Sequence, residues 1–179
     1  INPFSIVRAA WGNLNSGRII SGASTISMQL ARLMDPSSRT IGNKIKEAFR
    51  AVQLELKYSK EEILEYYINI APFGRNFVGL DSASYFFFGK NASQLTISES
   101  ALLISLLKSP NKHDPIKFPK IASEARQLVL KRLFDEGLIN KTDYSISINR
   151  SLPVKLKAIP NKAMHFSRDI KQQFEIGRA

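Results

Sequence analysis

Apolar residues in this chain recur at the three- and four-residue spacing of helices rather than the strict alternation of strands. Ile26, Leu30 and Leu33 form one such set, and Ile45, Phe49, Val52 and Leu56 form another. Each predicts an amphipathic helix with that stripe turned toward a core. Ser59 followed by Glu62 has the form of a capping box and predicts the start of a helix carrying Ile63, Leu64, Tyr67 and Ile68. Thr96 and Glu99 repeat the device ahead of Ala101 to Leu107, a run apolar on nearly every side, which predicts a central buried helix. Pro110, Pro115 and Pro119 punctuate a loop, after which Glu124 to Phe134 reads as a further amphipathic helix stopped by Gly137. Beyond Asn140 the periodicity weakens, and Leu152 to Pro160 reads as an extended connector. Strand signals are scarce, so the expected class is all-α, or mainly α.

Composition narrows this picture in three ways. A chain of 179 residues is long enough for one well-buried domain, since a domain of about 150 residues buries roughly 70% of its unfolded surface. The excess of 26 Lys and Arg over 15 Asp and Glu, a formal charge of +11, suggests an anionic partner: a phosphate, a nucleic acid or an acidic membrane. Those charges are spread along the chain, so a solvated basic surface explains many of them equally well. With no cysteine there is neither a disulfide framework nor a thiolate metal site. No run approaches the apolar length of a membrane span, and Ile1-Asn2-Pro3-Phe4 is neither a signal peptide nor a methionine start, so the chain reads as a piece of something longer.

On a helix starting near Ser24, Thr25, Gln29 and Arg32 fall on one flank of the apolar stripe. They offer a hydroxyl, an amide and a guanidinium beside a helix N-terminus, a seat for an anion. The plain alternative is an N-cap at Ser24 with two solvated side chains. Lys44 and Glu47 are neighbours off the second stripe, and in isolation they read as an ordinary surface pair worth a few tenths of a kcal/mol.

Three segments change these odds: Gly22-Ala23-Ser24-Thr25-Ile26-Ser27-Met28-Gln29-Leu30-Ala31-Arg32, then Lys44-Ile45-Lys46-Glu47, then Ile63-Leu64-Glu65-Tyr66-Tyr67-Ile68-Asn69. With Ala83 to Lys90 and the following Leu95, Glu99, Ala101 and Leu102, they resemble the successive motifs of peptidoglycan glycosyltransferases, family 51, of the class A penicillin-binding proteins. Ser37-Ser38-Arg39-Thr40 and Ala71-Pro72-Phe73-Gly74 are most similar to the penicillin-binding protein 1C branch. The resemblance implies a lysozyme-like helical domain over residues 1–150, with 151–179 a linker toward a transpeptidase whose Ser-x-x-Lys and Lys-Thr-Gly chemistry this chain lacks. It implies that Ser24, Thr25, Gln29, Arg32, Lys44, Tyr67 and Asn69 bind substrate and that Glu47 is catalytic, positioning a lipid pyrophosphate with or without a divalent cation such as Mg or Mn.

The implied reaction polymerises lipid II by inverting transfer to the 4-OH of an acceptor sugar. A carboxylate takes the hydroxyl proton while cations stabilise the leaving pyrophosphate. The implied partners are lipid II, the growing glycan, a membrane surface and other cell-wall proteins, with no nucleic acid; the implied place is the outer face of the bacterial cytoplasmic membrane. The family's arginine before Lys44 is Asn43 here, with Lys46 or Arg39 as compensating cations. The motif carrying the general base belongs upstream of Ile1, so this segment alone is expected to be inactive. Phe73, Phe77, Val78, Phe86, Phe87 and Phe88 are candidates for a lipid-facing patch, or else core. Three rivals stay open: a basic helical nucleic-acid module carried by Lys44, Lys46, Arg50, Lys57 and Lys60, a lysozyme-like hydrolase, and a degenerate scaffold.

Overall fold

The computed structural model describes residues 24–157. Among them run seven α-helices: α1 (Ile26–Met34), α2 (Ile41–Lys57), α3 (Lys60–Ile70), α4 (Leu80–Phe88), α5 (Ile97–Lys108), α6 (Pro119–Asp135) and α7 (Lys141–Asn149). An isolated antiparallel bridge, Pro72 with Val78, is the one strand-like pairing among the described residues. The chain divides into two compact units, Ile1–Pro72 with Val78–Leu80, and Phe73–Phe77 with Asp81–Ala179.

In the first unit α1 packs against both α2 and α3. Its N-cap is Thr25, whose hydroxyl accepts from the Met28 amide at 3.3 Å. The buried face is Ser27, Met28, Leu30 and Ala31, so the predicted stripe is displaced: Ile26 is exposed and Leu33 half-buried. In α2 the expectation fails outright. Ile45, Phe49, Val52 and Leu56 are 67%, 64%, 45% and 84% exposed, whereas Ala51 is fully closed. Helix α2 turns a small and polar seam inward. Lys44 donates to Ser24 Oγ of α1's approach, and Ser27 Oγ donates to Glu55 Oε1 at 2.5 Å. Small side chains let helix axes approach closely, and paired polar groups lose little on burial. Asp35, at the end of α1, holds Lys46 at 3.0 Å and Arg50 at 3.2 Å. Lys46's hydrogen bond and the charges of both cations keep its carboxyl below the ordinary range. Helix α3 opens with the predicted capping box: Ser59 N–H donates to Glu62 at 2.8 Å and the Glu62 amide to Ser59 Oγ at 3.2 Å. It buries Ile63 and Tyr67.

The second unit is built on α5, where Ala101, Leu102, Leu103 and Leu106 are closed to solvent, as the apolar run predicted, with Ile104 alone of that run turned outward. Thr96 donates its amide and hydroxyl to Glu99, which also takes Lys90 at 2.7 Å. Helix α6 begins at Pro119, where a missing N–H costs nothing, and ends before Gly137 at φ +73°. Helix α7 lies where the sequence shows no periodicity. It fully buries only Ser147, stacks Tyr144 on Phe134 at 4.9 Å, and is otherwise held by polar contacts. Asn140 caps it at 2.8 Å, Ser98 Oγ donates to Ser147 O at 3.0 Å, and the Arg126 guanidinium donates to Ile148 O, Arg150 O and Ser98 Oγ. Arg126 is 3% exposed, and burial lowers its pKa.

Of the candidate patch, Phe73 and Phe87 are closed to solvent, Phe77, Phe86 and Phe88 are half-buried, with Phe77 stacked on Phe86 at 4.2 Å and edge-on to Phe87, and Val78 is 54% exposed. Gly74, Arg75 and Asn76 take consecutive left-handed conformations (φ +89°, +50°, +64°). That strain is offset by Arg75 donating through Nε and Nη2 to Asp114 at 2.6 and 3.2 Å. Residues 151–157 form neither helix nor strand and bend at Lys155; residues 158–160 of the expected connector lie outside the described range.

Candidate active site

The sequence-predicted residues converge on the three helices of the first unit. Lys44, in the first turn of α2, donates to Ser24 Oγ and to Glu47 Oε2 at 2.9 Å, so one ammonium ties the start of α1 to the α2 carboxylate. Glu47 is 11% exposed and Lys44 40% exposed. The pair is thus accessible on its cationic side, and its net stability contribution is at most about 1 kcal/mol. On the other side of α1, Tyr67 OH donates to Gln29 Oε1 at 3.1 Å. The Gln29 NH₂ has no hydrogen-bond partner among the described residues. Burial raises the Tyr67 pKa, partly opposed by the positive charge of Arg32. Gln29 and Arg32, one turn apart on α1, are both half-buried.

Thr25, rather than Ser24, is the α1 N-cap, its hydroxyl accepting from the Met28 amide. Asn69 is exposed and makes no side-chain hydrogen bond among the described residues. Its carbonyl, however, lies against Gly79: a Cβ built there would sit 2.7 Å from Asn69 O. Glycine at φ +86° is what lets the chain return past the end of α3. Asn43, standing in the family's arginine position, donates its amide to Ser38 O at 2.8 Å and Ser38 Oγ at 3.2 Å. Lys46, one of the two cations named as compensating, pairs with Asp35 at 3.0 Å on the surface. The same contact, with Arg50, engages two of the five cations of the nucleic-acid reading, and Glu47 engages a third.

Sequence reasoning missed the Ser27–Glu55 contact, because both residues lay off the apolar stripes. Their signal was a hydroxyl and a carboxylate on the two helix faces that also carry Ser24 and Lys44. No group of three His, Asp or Glu side chains gathers among the described residues, and Glu47 already holds Lys44's ammonium. The donors present do not fit a divalent cation held by protein ligands alone.

The Lys44 ammonium on α2, held by Glu47, and the Gln29 amide and Arg32 guanidinium on the neighbouring α1 are donor groups of the kind an anion accepts from. The chain belongs to the transglycosylase family, whose sequence model matches residues 1–134. It is 42% identical to penicillin-binding protein 1C of Escherichia coli K12, over 94% of this chain and 22% of that protein. It is also 42% identical to penicillin-binding protein 1A of Aquifex aeolicus, over 87% of this chain and 22% of that protein. The chain therefore spans about a fifth of the length of these relatives. Among solved structures it is similar to penicillin-binding protein 1A from Haemophilus influenzae, with a TM-score of 0.51 at 28% identity over 82% of this chain and 19% of that one. With helices throughout the described residues, this likeness makes the fold all-α and of the lysozyme-like kind.

Proposed function

We propose that this chain is the donor-gripping part of a peptidoglycan glycosyltransferase, which polymerises lipid II at the outer face of the cytoplasmic membrane. In the reaction the acceptor 4-OH attacks the anomeric carbon of the donor glycan and the bond to the lipid pyrophosphate breaks with inversion. The hydroxyl proton passes to a general base that the described residues do not supply. Lys44 and Arg32 neutralise charge on the departing pyrophosphate, the Gln29 amide donates to its oxygens, and Glu47 keeps Lys44 aimed until the pyrophosphate takes the ammonium over. Ser24 fixes the other end of that ammonium, while Tyr67 and Asn69 hold the shape of the site.

The observation that carries this reading is Lys44 bridging Ser24 and Glu47 on the helix layer that also presents Gln29 and Arg32. Seating on lipid is supported by the outward stripe Ile41, Ile45, Phe49, Val52 and Leu56 of α2, since soluble surfaces rarely collect so much contiguous apolar area. No helix among the described residues is long and apolar enough to cross a membrane.

The test is polymerisation of labelled lipid II by the natural protein containing these residues and by the 179-residue chain alone. Turnover by the natural protein that falls at least ~100-fold in Lys44→Met and Glu47→Gln variants is expected. Inactivity of the natural protein, or full activity of both variants, would overturn the assignment.

A further inference from the structure

Glu55 of α2 is half-buried and has no task in the chemistry proposed above. Its Oε1 accepts from Ser27 Oγ of α1 at 2.5 Å, and Ser27 is 7% exposed. A hydroxyl donating to a carboxylate at that length is a charge-assisted bond, roughly twice as strong as one between neutral groups.

Ser27 and Gln29 stand two residues apart on α1, so at about 100° per residue they project from opposite sides of the helix. Ser27 ties one side of α1 to α2, and Gln29, accepting from Tyr67 OH at 3.1 Å, ties the other to α3. Arg32 falls about 60° round the helix from Gln29 and about 140° from Ser27, on the Gln29 side. The apolar part of the packing fixes this rotation less sharply. Met28, Leu30 and Ala31 are closed to solvent, but apolar contact is non-directional, whereas a hydrogen bond weakens steeply off line. At the ~5–6 Å outer radius of a helix, a turn of ~10° about its axis carries a side-chain donor through ~1 Å. A misplacement of that size can cost about 10²-fold in rate where donors must meet a reacting group. Lys44 does not set the rotation, because Ser24, which it holds, lies ahead of the helix.

We infer that Glu55 is a positioning residue for glycosyl transfer: through Ser27 it sets the rotation of α1, and with it the aim of Gln29 and Arg32, without touching substrate. The inference rests on the pyrophosphate-gripping role proposed for those two side chains.

The experiment follows polymerisation of labelled lipid II by the natural protein containing these residues, with circular dichroism reporting the fold of each variant. Glu55→Met should lower kcat/KM about tenfold, with KM moving more than kcat. Glu55→Gln keeps an oxygen acceptor for the Ser27 hydroxyl and should stay within about threefold of wild type. Ser27→Ala should match Glu55→Met, and the double variant should lose no more than either alone, because both remove one bond. With Arg32→Ala already present, Glu55→Met should cost at most about threefold more, since part of what it misaims is gone. If Glu55→Met loses helix, Ser27→Ala, which removes a single oxygen, decides the matter. Glu55→Met and Ser27→Ala as active as wild type, Glu55→Gln as impaired as Glu55→Met, or additive losses in the double variant would overturn this inference and leave the glycosyltransferase reading standing. An inactive wild type would overturn both.

Discussion

The inverted orientation of α2 makes a prediction in which two substitutions exchange their expected severities. Ile45 is 67% exposed, so it contributes about a third of the roughly 1.5–3 kcal/mol that full burial of such a side chain is worth; Ile45→Ser should cost ~0.5–1 kcal/mol. Ala51 has no exposed surface, so the three extra carbons of Ala51→Leu must push the helices apart or take a strained rotamer, at about 1–3 kcal/mol. If α2 instead packed by its apolar stripe, Ile45→Ser would leave a cavity and cost about 2–5 kcal/mol, and leucine at 51 would be near neutral. Urea unfolding of the 179-residue chain and both variants, followed by circular dichroism with midpoints compared at constant slope, separates the two orders. Ile45→Ser proving the more damaging of the pair would refute the packing described for this helix.

Gly79→Ala should destabilise the first unit by about 2 kcal/mol or more. It forces a side chain into a left-handed backbone and onto the Asn69 carbonyl, and hydrogen exchange at the end of α3 should report the loss. Asp114 accepts from Arg75 and from the Ile116 and Lys117 amides. Burial alone would raise its pKa, but these bonds outweigh burial and hold the carboxyl below its ordinary range. A lowered folded pKa means stability that is fully present above about pH 4 and is lost as pH falls through the folded value. Asp114→Asn should therefore lower stability at pH 7 and flatten the acid limb of a stability–pH curve; an unchanged limb would contradict it. In the natural protein, Tyr67→Phe should free the Gln29 amide to turn over, raising KM for lipid II several-fold more than it lowers kcat. A pure loss of kcat would argue against that bond as a substrate-binding support.

Much of this protein is written in short-range patterns. The capping boxes at Ser59 and Thr96, the stop at Gly137 and the apolar run of α5 were legible because each depends on residues within one or two turns of one another. Motif order also singled out residues that the fold brings into contact, Lys44 with Ser24 and Glu47, and Tyr67 with Gln29. Helix α7 shows no periodicity because, beyond its local Asn140 cap, it is held by Ser98 and Arg126, contacts from distant parts of the sequence. Tertiary structure alone decided which face of α2 is inside. Periodicity locates an apolar stripe but cannot say whether a partner waits for it, and here a seam of Lys44, Ala51 and Glu55 meets α1 while the stripe faces outward. It likewise decided that Lys46 serves Asp35 and Lys44 serves Glu47 and Ser24, because which cation is spent on structure and which stays available depends on what the fold brings within about 3 Å.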